Sequence, residues 1–314
     1  MAPVSPSEDL FSLESTNALT AGALGFMPRV LVFTTLPHRR PESHRFERVN
    51  GRHTLRMIAP RRVGLPYGSY PRLLLSWLTT EAVRTKSPEI QLGATPNDLA
   101  RKLGLSTISG PRGTAHRLKG QLRRLLHMRL SWQTTADLHR KSSRYGSVNL
   151  EYASWLRPAR QVLPRRPAWR SRIVLGQDFF EEITRSAVPI DLRAIHHLKS
   201  SPMAIDLYTW LTYRMSYLRK PTVVPWEGLQ NQFGADYARP RDFRRKVLTQ
   251  LQEVLRAYPA VRVGRTDAGL RLYPSPPHIR TRKDPPRHKL SKVSAPSRRP
   301  RASGNIVPGV EFMD

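Results

Sequence analysis

Arg112, His116, Arg117, Arg123, Arg124 and His127 carry the clearest chemistry in this sequence. At about 100° per residue they gather on one side of a helix spanning about Arg112 to His127, with Thr114 near its amino end. Ala115, Leu118, Leu122, Leu125 and Leu126 fall on the other side. A rod that is leucine-backed and arginine-fronted can lie in a DNA major groove, where Arg bonds guanine edges and any cation bonds phosphates. No acid interrupts the cationic side. Gly120 sits in its middle, where glycine costs about 1 kcal/mol against alanine; it is either tolerated or required for close approach of a backbone.

The elements needed to hold such a helix precede and follow it. Thr95-Pro96-Asn97-Asp98 reads as a helix start, with a capping Thr, Pro in the first turn and an acid three residues after the cap. Leu99, Ala100 and Leu103 give that short helix a buried side, and Gly104 is placed as its left-handed stop. Short helix, glycine turn, basic helix is the order of a helix-turn-helix. Upstream, a helix opens at Gly68-Ser69-Tyr70-Pro71, with Ser69 as cap, and ends near Lys86; Glu89 to Leu92 alternates as a strand. Phe46 to Ile58 reads as a hairpin turning at Asn50-Gly51. Downstream, Met128 to Thr135 and Ser147 to Tyr152 read as strands around a basic loop, whose Lys141 and Arg144 are candidate phosphate contacts.

The same order returns. Trp210-Leu211-Thr212 answers Trp77-Leu78-Thr79 at an offset of 133, and Phe233-Gly234 answers Leu103-Gly104 at 130. Arg239 to Arg256 forms the second basic helix, backed by Phe243, Val247, Leu251, Val254 and Leu255. Val261 to Val263 and Leu270 to Tyr273 close the unit as a hairpin. The expected architecture is α+β: two tandem winged-helix domains at 29–160 and 172–274, with a flexible arm at 1–28, a Pro/Arg-rich linker at 161–171 and a disordered basic tail at 275–314. Candidate base-edge readers are Arg112, Thr114, His116 and Arg117 in the first unit and Arg239, Arg241 and Arg245 in the second. Arg123, Arg124 and Lys246 complete the expected DNA-binding set. Trp77, Trp210 and Trp226 lie on or beside apolar faces and are read as core.

Composition agrees with a polyanionic partner. Lys and Arg number 53 against 23 acids in 314 residues, a net of +30, and residues 101–172 alone supply seventeen cations against two acids. The cations accompany folded-domain patterns rather than one anchor helix, which favours double-stranded DNA over a membrane surface. The run from Ala18 to Phe33 contains Pro28 and Arg29 and reads as neither signal peptide nor span. Without cysteine there is no disulfide, thiolate or zinc-finger chemistry. Adjacent His196-His197 diverge in direction, Glu181-Glu182 is a solvated face, and no phosphate-cradling glycine loop or paired-aspartate metal site occurs. Neither an enzyme nor a bound cofactor or metal is expected.

The string from Leu65 to Gly93, followed by KLGLSTISGPRGT and LKGQLRRLL, resembles the plasmid-encoded RepA family of replication initiators, over most of Val63 to Tyr273. That resemblance implies a cytoplasmic bacterial protein that binds repeated sites at a plasmid origin and promotes opening of adjacent DNA. It further implies recruitment of the host initiator DnaA and the replicative helicase, copy control, and a homodimer that represses its own promoter. A winged-helix transcriptional regulator would use the same helices and is the competing expectation.

Overall fold

The computed structural model describes residues 22–108, 110, 112–134, 146–147, 150–152, 171–234 and 237–279. It is a mixed helix and sheet fold in which one apolar core runs from Met27 to Leu272.

The chain enters through β1 (Leu24–Met27) and the short helix α1 (Arg29–Phe33). Strands β2 (Arg45–Asn50) and β3 (His53–Ile58) form the expected hairpin, but Asn50 pairs with His53. The link is therefore Gly51-Arg52, one residue later than expected. Gly51 takes the left-handed φ of 56° that this tight link requires, and the Asn50 amide instead donates to the Phe33 carbonyl at 2.7 Å.

Helix α2 (Ser69–Thr85) begins after Gly68, whose φ is 78°, and Ser69 is its first helical residue rather than its cap. The Gly68 carbonyl accepts instead from Arg72 at 2.7 Å. Lys86 ends the helix in the left-handed region. Next come β4 (Glu89–Gly93), α3 (Pro96–Lys102) and α4 (Thr114–His127). The Thr95 hydroxyl accepts from the Asp98 amide at 3.1 Å, and Gly104 follows with a φ of 64°. From α4 the chain passes into β5 (Arg129–Thr134), and the pieces β6 (Gly146–Ser147) and β7 (Leu150–Tyr152) follow. These last two were expected as one strand, yet β6 pairs with β5 and β7 pairs with β8 (Ser171–Leu175) in another sheet.

After α5 (Gln177–Ser186), β9 (Val188–Asp191), α6 (Leu192–His197) and a single 3-10 turn (Leu198–Ser200), the earlier order of elements recurs. It reads α7 (Pro202–Tyr217), β10 (Thr222–Pro225), α8 (Trp226–Phe233), α9 (Pro240–Ala257), β11 (Arg262–Thr266) and β12 (Gly269–Tyr273). The Ser201 hydroxyl accepts from the Ala204 amide at 3.3 Å, and Pro202 occupies the first turn. Trp77 and Trp210 occupy corresponding core positions at 9% and 5% exposure.

Among the described residues there are four sheets, ordered β1-β9, β10-β12-β11, β2-β3-β5-β6 and β4-β8-β7. All pairings are antiparallel. Two of these sheets cross the expected domain boundary: β8 pairs with β4, and β9 pairs with β1. Residues 24–27 thus belong to a sheet rather than to a free arm. The expected tail also begins late, since Ile279 is 3% exposed against Ala23 and Leu24, and His278 stacks on Tyr258.

Candidate nucleic-acid interface

The two basic helices are held from behind by apolar contacts. In α4, Leu118, Leu122 and Leu125 are at most 2% exposed, and in α9 the residues Phe243, Val247 and Val254 are fully buried. Each buried branched or aromatic side chain of this kind stabilises the pose by about 1.5–3 kcal/mol. Gln121, placed among these leucines, is 8% exposed and accepts from the Tyr67 amide at 3.1 Å. Its spacing among apolar residues was a sign in the sequence that it faces inward.

The fronts face solvent. Arg112, His116, Arg117, Gly120, Arg123 and His127 are exposed on α4 and its leading turn. Arg117 donates through Nε to the Arg112 carbonyl at 3.0 Å, so its side chain lies back over the start of the helix. On α9 and its cap, Arg239, Arg241, Arg245 and Lys246 are exposed. Asp242 pairs with Arg245 at 3.2 Å and Glu253 with Arg256 at 2.6 Å, so the second front is partly neutralised and the first is not. Two exposed cations outside the expected set, Lys119 and Arg244, flank these fronts; Arg244 lies over the Trp226 ring at 5.7 Å.

Two expected site residues lie elsewhere. Thr114 is 3% exposed, because the loop before α4 folds over the helix start and the Thr114 amide donates to the Ile108 carbonyl at 3.0 Å. Thr114 is thus packed into the helix start rather than displayed on the exposed front. Arg124 is half-buried and points away from the front. It donates to the Leu65 carbonyl at 3.2 Å, lies over the Tyr67 ring at 5.4 Å, and fills the space where a Cβ on Gly64 would stand. Burial lowers its pKa from the ordinary arginine value, though not enough to discharge a guanidinium. Lys141 and Arg144 lie outside the described residues.

Behind the fronts, a buried ionic cluster joins the first helix of one repeat to the first helix of the other. Arg72 on α2 makes two parallel bonds to Asp206 on α7, both at 2.7 Å, and also donates to the Leu36 carbonyl at 2.7 Å. His38 reaches the same carboxylate at 2.8 Å. Burial opposes ionisation of Asp206, but the Arg72 charge and the bonds from His38 and Arg72 overcome it and hold its pKa below the ordinary value. Burial lowers the His38 pKa, so its neutral form, donating to Asp206, is the favoured one. A second clasp lies at the helix-pair turn: Lys199 donates to the Gly104 carbonyl at 2.6 Å, and the His196 ring covers Gly104 where any Cβ would collide at 2.6 Å. The sequence reading missed both clasps, since they join residues 95, 134 and 168 positions apart.

Among the described residues no helix is long and apolar enough to cross a membrane, and no three His, Asp or Glu side chains gather as metal ligands.

A crystal structure of RctB domains 2–3 aligns with a TM-score of 0.46 at 14% identity, covering 78% of this chain and 96% of that one. A selenomethionine derivative of domains 2 and 3 of RctB aligns with a TM-score of 0.45 at 13% identity, covering 76% and 95%. No curated protein matches the sequence significantly. The profile described as plasmid encoded RepA protein matches residues 65–227, a little over half of the chain and the stretch that holds α2, α4, α7 and the Arg72–Asp206 pair. The chain belongs to the family of plasmid-encoded RepA proteins.

Proposed function

We propose that this protein is a plasmid replication initiator that binds repeated duplex sites at its origin through α4 and α9, used as the reading helices of two winged-helix units. The observation that carries this reading is the exposed front of α4: Arg112, His116, Arg117 and Arg123, with no acid between residues 104 and 127. Its family membership gives that front a biological setting. The front of α9 supplies a second contact, and two reading helices on one chain fit successive segments of duplex about one helical turn apart. Phosphate contacts position the chain and the helix starts select the bases. Opening of adjacent DNA, recruitment of host DnaA and helicase, autorepression as a dimer and a cytoplasmic location belong to the same proposal.

The test is replication itself. The gene and its flanking DNA are placed on a circle that cannot otherwise replicate, and transformants are counted. Colonies that depend on an intact reading frame, together with a footprint of spaced repeats in the flanking DNA, are the expected result. A footprint without replication would make the protein a regulator, and equal affinity for the flanking fragment and random duplex would remove the origin-binding reading altogether.

A further inference from the structure

Ile108 is the most exposed large apolar side chain among the described residues, at 58%. A single exposed isoleucine needs no explanation by itself. Its location does. The Ile108 carbonyl accepts from the first amide of α4 at 3.0 Å, and the Gly113 amide turns back to the Gly110 carbonyl at 2.9 Å, so the loop is anchored against the amino end of that helix. The Ile108 backbone is thereby held at the amino end of α4, the end that carries exposed Arg112, His116 and Arg117. Ser106 and Thr107 precede Ile108, also exposed. A polyanion seated on the amino end of a cationic, acid-free helix would reach the loop that enters it. Of the four bases, only thymine offers an apolar group in the major groove, its C5-methyl.

We infer that Ile108 is a specificity-determining residue that packs on the methyl group of one thymine in each site read by α4. This rests on the proposed DNA-binding function and adds the base that the loop selects. The contact is apolar, so it distinguishes thymine from uracil, which has the same hydrogen-bonding edge.

Deoxyuridine is substituted for each thymine of the footprinted repeat in turn, and the affinities of the full-length wild-type chain, Ile108→Ala and Ile108→Val are measured. At one thymine the wild-type protein should lose about fourfold in affinity, the equivalent of ~0.8 kcal/mol for one methyl-sized group. Ile108→Val should keep most of that loss, and Ile108→Ala should show none, binding the thymine and uracil sites alike. A wild-type protein indifferent to every substitution, or an Ile108→Ala variant as sensitive as wild type, would overturn the assignment while leaving the initiator reading intact. Absence of any protected site would instead remove the DNA-binding reading on which the assignment stands. Ile108 is exposed, so its variants should fold, and unchanged thermal melting of Ile108→Ala checks this.

Discussion

Arg123 and Arg124 are adjacent in sequence, carry the same side chain, and do different things. Arg123 is exposed on the front of α4, whereas Arg124 turns back to the Leu65 carbonyl and the Tyr67 ring. Helical periodicity alone places both among the cations. It cannot see the 64–67 loop, which arrives from some sixty residues earlier, and that is why the sequence reading put Arg124 in the interface. Arg124→Ala should cost about 1–2 kcal/mol in urea denaturation, through a lost charge-assisted bond and lost packing of its stem. Arg123→Ala should stay within about 0.5 kcal/mol of wild type while weakening duplex binding. Equal stability of the two variants would contradict the roles assigned to them.

One difference between the two basic helices lies on their exposed sides. With their buried faces matched, Leu118, Gln121, Leu122 and Leu125 to Val247, Gln250, Leu251 and Val254, Gly120 of α4 corresponds to exposed Thr249 of α9, and a Cβ built on Gly120 would touch nothing within 4 Å. Gly120→Ala should therefore raise the stability of the free protein by about 0.5–1 kcal/mol. If α4 lies close against DNA, as proposed, the same substitution should lower affinity for the origin fragment; calorimetry and a binding titration together read both effects. Elements with local signals were legible in the sequence: the capped start at Thr95, the glycine stop at Gly104 and the apolar backs of α4 and α9. Elements defined by distant partners were not. Leu24 to Met27 is a strand only because Val188 to Asp191 lies beside it, and Ile279 is core only because Ala23 and Leu24 meet it. The hairpin link moved by one residue because Asn50 bonds to the Phe33 carbonyl instead of turning the chain.

At the scale of the molecule, the Arg72–Asp206–His38 cluster and the β1-β9 and β4-β8 pairings tie the two repeats to one core. Asp206→Ala would leave the Arg72 guanidinium, 1% exposed, without its carboxylate, a loss of about 3–5 kcal/mol measurable in denaturant. Acid should act on the same region. Burial lowers the pKa values of His38, His196 and His278 below the ordinary 6.5. The unfolded chain thus takes up protons first, and stability is complete above about 6.5 and declines as pH falls toward the depressed folded values. Urea midpoints at pH 7.5 and 5.5 should show this decline, and it should be smaller in His38→Gln. The pairing of β7 with β8, Tyr152 opposite Ile173, has a different kind of consequence. It pairs residues on either side of the expected Pro/Arg-rich linker at 161–171. A protease nick within that stretch should therefore give a protein that migrates as two bands when denatured yet elutes as one species when native. The polypeptides 1–160 and 161–314, expressed apart, should need each other to become soluble.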